Sequence, residues 1–210
     1  MSLAMTDAFA LLGEERRPWL DAEVLKDRFQ AMSGPLHPDR FHGAAEAEKG
    51  AAGERYSELN TAYQLLKEPR DRLLHLLELE LGGKPKDIQR IPPGTMDLFV
   101  EVGQTCRDCD EFLKKKGAAT SPILKLQLMQ AGMEWMDRLI DLQGRVRVMG
   151  DSLAAELTGM NAVWAAAPQV GDPARVSALP MERLEQVYRA MSYVARWTGQ
   201  IQERVVQLAV

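Results

Sequence analysis

The chain has 210 residues, of which 46% are hydrophobic and 27% charged, and it carries a formal net charge of −4. This is enough apolar chain to build a core without disulfide staples, and it excludes a solvated, disordered polymer. An acidic balance, with a pI near 5.5, also argues against a general nucleic-acid binder, which concentrates Lys and Arg.

Two cysteines, Cys106 and Cys109, stand too close to staple a large fold, and their scarcity fits a reducing compartment. No run of 18 apolar residues occurs, and the opening lacks a basic patch followed by an apolar stretch. The reading is a cytoplasmic protein with no membrane and no nucleic-acid partner. Met1-Ser2-Leu3 and the second Met5 are set aside from the fold.

In chain order, Asp7 caps a short helix through Phe9, Leu11 and Leu12 that Gly13 closes. A second helix starts near Asp21, with Val24, Leu25, Phe29 and Met32 on one side. Ser33-Gly34-Pro35 ends it, because Pro35 removes a helix donor and disfavours helix at Gly34. A loop containing His37-Pro38-Asp39 follows. A third helix runs from about Ala45 to Lys67, and its stripe Tyr56, Leu59, Tyr63, Leu66 puts four residues on one face. Glu68-Pro69 breaks it, and a short helix then carries Leu73, Leu74, Leu76 and Leu77.

Gly and Pro crowd residues 82–94, which read as a linker between a segment 6–81 and a segment 95–210. The second segment reads as long helices. The first places Met96, Phe99, Val102, Cys106, Cys109 and Leu113 in one stripe, with Lys114-Lys115-Lys116 at its end, where cations suit the helix dipole. Ser121-Pro122 opens the next. Its stripe is Leu126, Met129, Met133, Met136 and Ile140, and it reaches about Ala167 with breaks near Gly144 or Gly150. Residues 168–180 hold three prolines and form a loop. The last helix repeats Leu184, Val187, Met191, Val194, Thr198, Ile201, Val205 and Leu208, a seam for packing along another helix. With strand signals almost absent, the fold class is all-α, a helical hairpin followed by an antiparallel three-helix bundle.

His37-Pro38-Asp39 gains meaning from its setting between two helices with matching apolar faces, which would expose it at a hairpin tip. The arrangement resembles the J-domain of the DnaJ family. The matching residues are Asp7-Ala8-Phe9-Ala10-Leu11-Leu12-Gly13, Leu25-Lys26-Asp27-Arg28-Phe29, His37-Pro38-Asp39-Arg40-Phe41, Leu59-Asn60-Thr61-Ala62-Tyr63-Gln64-Leu65-Leu66 and Pro69-Arg70-Asp71-Arg72-Leu73. Within that family, the Leu-rich fourth helix and all-helical second half, including Tyr188-Arg189-Ala190-Met191, are most similar to the HscB/Jac type of iron–sulfur cluster assembly.

The resemblance implies a J-domain over 6–81 and a client-binding domain over 95–210. It implies a co-chaperone that stimulates the ATPase of a DnaK/HscA-class chaperone and delivers a client, an IscU-type scaffold. His37, Pro38, Asp39, Lys26, Arg28, Arg40 and Asn60 would face the chaperone. Met96, Leu98, Phe99, Glu101, Val102 and Ala190 would face the client. The chain departs from the family at Ser33-Gly34-Pro35-Leu36, where a tyrosine usually precedes the histidine, and at Leu98-Phe99-Val100-Glu101-Val102-Gly103, where an acidic, leucine-rich helix is usual. The alternative is therefore a J-like adaptor, or a general folding co-chaperone, with weak or no ATPase stimulation.

A redox or metal reading of Cys106 and Cys109 is the third possibility. Zinc takes about four ligands, no second such pair exists, and His42 and His75 lie far off in sequence. Small buried thiols account for the pair better. Met129, Met133 and Met136 could form an adaptable binding surface but read better as core, and Trp135, Trp164 and Trp197 sit off or at the edge of their stripes, as a contact anchor or as bundle-edge packing. No phosphate loop, nucleophile elbow or paired-carboxylate site stands out, so neither an enzyme nor a cofactor is expected.

Overall fold

The structure is a computed structural model that describes residues 6–41, 43, 45–85, 91–92 and 94–209. His42 and the opening residues 1–5 lie outside the described residues. The order is α1 (Ala8–Leu11), α2 (Ala22–Ser33), α3 (Glu46–Lys67), α4 (Pro69–Leu81), α5 (Met96–Gly117), α6 (Pro122–Ala166), α7 (Arg175–Ala178) and α8 (Met181–Ala209). The fold is all-α, with no strand among the described residues.

Local chemistry explains the boundaries. Asp7 accepts from the N–H groups of Phe9 and Ala10, and Asp21 from those of Glu23 and Val24, so both act as N-caps. Gly13 at φ 65° and Gly82 at φ 71° take the left-handed conformation that closes a helix without a Cβ penalty. α2 stops at Ser33, but the chain then winds into a 3₁₀ turn over Gly34–Leu36. Gly34 keeps φ −55° and ψ −43° before a proline because it has no Cβ to clash.

Packing gathers the chain into two compact units: Met1–Asp87 with Glu156–Tyr188, and Ile88–Ala155 with Arg189–Val210. The long helices α6 and α8 thus contribute to both.

In the first unit, α3 packs on α1 and α2. Phe29 and Tyr63 stack at 4.5 Å between ring centroids. Phe9, Leu12, Leu59, Leu66, Leu73, Leu76 and Leu77 are fully buried. Residues 156–188 add Leu157, Met160, Trp164, Leu184 and Val187 to the buried set. Two polar side chains of that segment pair with residues of the N-terminal segment. Asn161 Oδ1 accepts from the Trp19 N–H at 3.0 Å, and its Nδ2 donates to the Trp19 carbonyl at 2.9 Å. Arg175 forks onto buried Glu80 with two bonds of 2.8 Å, a geometry suited to guanidinium and carboxylate.

The second unit has its own core of Val102, Cys106, Cys109, Phe112, Leu139, Leu142, Val146, Trp197, Ile201 and Leu208. Several expected stripes are rotated. α6 runs unbroken over 45 residues, without a stop at Gly144 or Gly150, because an isolated glycine costs only about 1 kcal/mol in a helix. Its buried face is Leu139, Leu142, Val146, Leu153, Leu157, Met160 and Trp164. Leu126, Met129, Met133 and Ile140 are exposed, which corrects their reading as core. Trp164 and Trp197 are buried rather than at stripe edges, and Trp197 takes the core place expected of exposed Thr198. Val24 is also exposed, leaving Leu25 to anchor α2.

Candidate functional site

The candidate chaperone-binding loop sits between α2 and α3. The chain leaves the 3₁₀ turn through His37, extended at φ −61° and ψ 134°, and winds again over Pro38–Phe41. The Asp39 N–H donates to His37 Nδ1 at 3.3 Å, and the Arg40 N–H to the His37 carbonyl at 2.9 Å. The His37 ring meets Tyr56 of α3 edge-on at 5.9 Å. Nδ1 thus serves as an acceptor in a loop whose shape is set locally, while the His37 and Asp39 side chains are exposed, at 50% and 77%.

The flanking polar residues divide. Arg40 and Asn60 are exposed. Lys26 is exposed on α2, where Glu23 bonds its ammonium at 3.2 Å; that bond raises its pKa above the ordinary value. Arg28 turns back: it donates to the Gly13 carbonyl and meets Glu14 at 3.1 Å. It ties α1 to α2, so the charge it offers outward is largely spent on a buried carboxylate. Net positive charge on this face is weaker than the count of Lys and Arg suggests.

The expected client residues fall in the second unit and split by burial. Met96 is 53% exposed and Phe99 39%, whereas Val102 is fully buried and Ala190 nearly so. Val102 and Ala190 are core residues, and direct contact with a client through them is corrected on that ground. Leu98 is partly buried against the core. Glu101 pairs with Arg145 of α6, which holds the guanidinium pKa up through their hydrogen bond.

Around Phe99 the structure adds residues that the sequence reading missed. Tyr193 of α8 packs edge-on against Phe99 at 5.8 Å and tilts against Trp197 at 5.5 Å. The Arg196 guanidinium lies 5.9 Å from the Tyr193 ring centre, within cation–π range. Together with Val100, Gly103 and Arg107 they line a shallow pocket of about 320 Å³. The signal available was Tyr193 and Trp197 at i, i+4 on one helix face, beside the aliphatic seam rather than in it.

Cys106 and Cys109 are buried and unbridged, as expected of small core thiols. Burial pushes both pKa values up, the direction opposite to a reactive thiolate. No group of three or more metal-ligating side chains occurs among the described residues. No described helix is long and apolar enough to cross a membrane.

No protein-family model matches the chain. In sequence it is 40% identical over 74 residues to the co-chaperone protein HscB of Proteus mirabilis (strain HI4320), covering 35% of this chain and 43% of that protein. It is 38% identical over 61 residues to a co-chaperone protein HscB homolog of Shewanella pealeana, covering 29% and 35%. The matches thus span less than half the length of these curated relatives. In fold it is similar to the chaperone HscB from Vibrio cholerae, with a TM-score of 0.55, 20% identity and coverage of 97% of this chain and 99% of that one. It is likewise similar to human co-chaperone protein HscB, with a TM-score of 0.58, 18% identity and coverage of 95% and 82%. The resemblance to HscB-type J-domain co-chaperones is thus present in sequence over about a third of the chain and in fold over nearly all of it.

Proposed function

We propose that this chain is a non-catalytic co-chaperone that triggers ATP hydrolysis on a DnaK/HscA-class chaperone through His37-Pro38-Asp39 and brings a client to it. The observation that carries this reading is the loop itself. His37 and Asp39 are presented to solvent from a hairpin whose backbone hydrogen bonds and Tyr56 contact set its shape. Similarity to proteins named HscB co-chaperones supports it.

In this reading residues 6–81 form the J-domain, 82–94 a linker and 95–210 the client-binding segment. Asp39 accepts a charge-assisted bond from a cationic side chain of the chaperone, stronger than a neutral one. Arg40 and Lys26 flank it with positive charge that favours an acidic surface, which speeds encounter and sets orientation, and Asn60 adds an uncharged hydrogen-bonding group. The co-chaperone breaks no bond. It shifts the chaperone by binding its hydrolysis-competent state more tightly than the others. The setting is cytoplasmic.

Single-turnover ATP hydrolysis by the chaperone tests this. The wild type is expected to accelerate it, and Asp39→Asn to abolish the acceleration while leaving the helical spectrum unchanged. A wild type without effect would favour the adaptor reading instead, in which the Gly34-Pro35-Leu36 approach leaves a loop that binds without stimulating.

The client is proposed to be an IscU-type iron–sulfur scaffold, bound on Met96, Phe99, Tyr193 and their neighbours. An aromatic cluster with an arginine over one ring is the composition of an interface anchor. Met96→Ala and Phe99→Ala are each expected to weaken scaffold binding about tenfold, equivalent to roughly 1–2 kcal/mol, as read by titration calorimetry. Unchanged affinity in both would remove this face from the proposal.

A further inference from the structure

A second apolar face of the same unit lies apart from the aromatic cluster. The ends of α5 and α8 and one face of α6 line a groove of about 780 Å³ whose walls include Leu128, Met129, Met133, Met136 and Leu208. Met129 and Met133 are 61% and 57% exposed, and Leu126 continues the strip at 70%. Leu126, Met129, Met133 and Ile140 recur at helical spacing along α6 and are exposed together. An apolar strip of that length left in water is the mark of an interaction surface, and methionine gives such a surface walls that adapt to their occupant.

Charge says what fits. Lys116 and Lys125 line the groove. Lys114 and Lys115 stand beside Lys116 at the end of α5, and all but Lys116, which is partly buried, are exposed. Lys116 is held in place by donating to the Leu208 carbonyl at 2.9 Å. None of residues 112–133 is acidic, and the one carboxylate in the lining is Asp137 at the far end. The groove is thus apolar along its floor and cationic over its rim near α5. Its concavity suits a rod more than a flat surface. The strip from Lys125 to Asp137 spans about 18 Å along α6, three to four turns of a helix laid beside it.

We propose that this groove binds an amphipathic helical peptide segment with acidic residues flanking its apolar face. The apolar anchors seat among Met129, Met133 and Met136, and the carboxylates meet Lys116 and Lys125. Phe99 and Lys116 lie 17 positions apart on α5, which separates the two faces by about 25 Å along that helix. The proposal does not rest on the co-chaperone reading, since it uses none of the residues of that loop or of the aromatic face.

The test is fluorescence anisotropy with the full chain and two synthetic 16-residue peptides. Both carry Leu at i, i+3, i+7 and i+10; one has Glu on the flanks and the other Lys. The Glu peptide is expected to bind, and the Lys peptide at least about tenfold more weakly. Met133→Glu and Lys125→Glu alter exposed side chains, so thermal melting should stay unchanged while affinity for the Glu peptide falls about tenfold or more. Phe99→Ala should bind that peptide like the wild type. No binding of the Glu peptide, equal binding of the Lys peptide, or indifference to both groove variants would overturn the proposal. So would loss of binding in Phe99→Ala. Sedimentation showing a dimer that Met133→Glu dissolves would instead assign the face to a second copy. Flotation on phosphatidylserine vesicles unaffected by the Glu peptide would assign it to a lipid surface.

Discussion

At the residue scale, His75 shows how burial decides chemistry that a motif scan passes over. It sits in the Leu-rich fourth helix, where its Nε2 accepts the Ala8 N–H at 3.1 Å and its ring stacks near Phe9. Burial depresses its pKa below 6.5, and Asp7 and Glu78 pull it back only in part. The unfolded chain therefore binds a proton more readily than the folded one. The contribution of neutral His75 to stability is whole above about pH 6.5 and is lost as the pH falls from there through the folded pKa. Urea midpoints measured from pH 7.5 to 5 should decline in the wild type, and His75→Gln, which keeps an acceptor for Ala8 but does not titrate, should flatten that decline. An identical slope in both would refute the assignment. Arg72 is a companion case. It lies within Pro69-Arg70-Asp71-Arg72-Leu73, is buried and donates to the carbonyls of Pro18 and Leu66. Loss of hydration there brings its pKa down to about 10, leaving it charged at neutral pH.

At the scale of elements, the helix ends were legible and several helix faces were not. Asp7, Asp21, Gly13, Gly82 and Pro69 act where their side chains and backbone preferences place them, because capping is decided within a few residues. Faces depend on what the helix meets. Leu126, Met129 and Met133 keep a 3-4 spacing that reads as a seam, but α6 presents Leu139, Leu142 and Val146 to the core and leaves the methionines in the groove. α6 also offers a direct check on its continuity. A Cβ added at Gly144 or Gly159 meets nothing within 4 Å, whereas one at Gly150 comes to 3.3 Å from Val194 Cγ1. Gly144→Ala and Gly159→Ala should each stabilise the fold by up to about 1 kcal/mol in chemical denaturation. Gly150→Ala should gain less, because Val194 must give way. Equal gains at all three sites would mean that α6 and α8 do not approach as closely as the structure has them.

At the scale of the whole molecule, the compact units do not follow chain order. Residues 156–188 join the N-terminal segment, bringing Asn161 to Trp19 and Arg175 to Glu80. Those partners pair polar groups that packing takes out of water, and breaking a buried ion pair costs roughly 3–5 kcal/mol, an upper bound here because Arg16 also reaches Glu80 at 4.0 Å and loss of residues 156–188 lets water reach the carboxylate. A fragment ending at residue 85 should therefore unfold at lower urea than the same segment within the full chain, as followed by hydrogen exchange at Leu73, Leu76 and Leu77. Equal protection in fragment and full chain would show that residues 156–188 add nothing to this unit.

The sequence by itself determined that the chain is helical, where most of its helices start and stop, though not the unbroken run of α6 or the short α7 inside the segment read as a loop, and that a His-Pro-Asp loop joins two of them. These properties follow from capping, periodicity and proline geometry, all of which act over a few residues. It also pointed to buried, inert thiols at Cys106 and Cys109, since both lie on one apolar face. Only the tertiary structure decided which apolar stripes are buried. It turned Arg28 inward to Glu14, set Phe99 against Tyr193 and left Met129 and Met133 in water. The reason is that burial and pairing between residues far apart in sequence depend on how helices dock, and a periodic stripe fits the core or the surface equally well until a neighbour covers it.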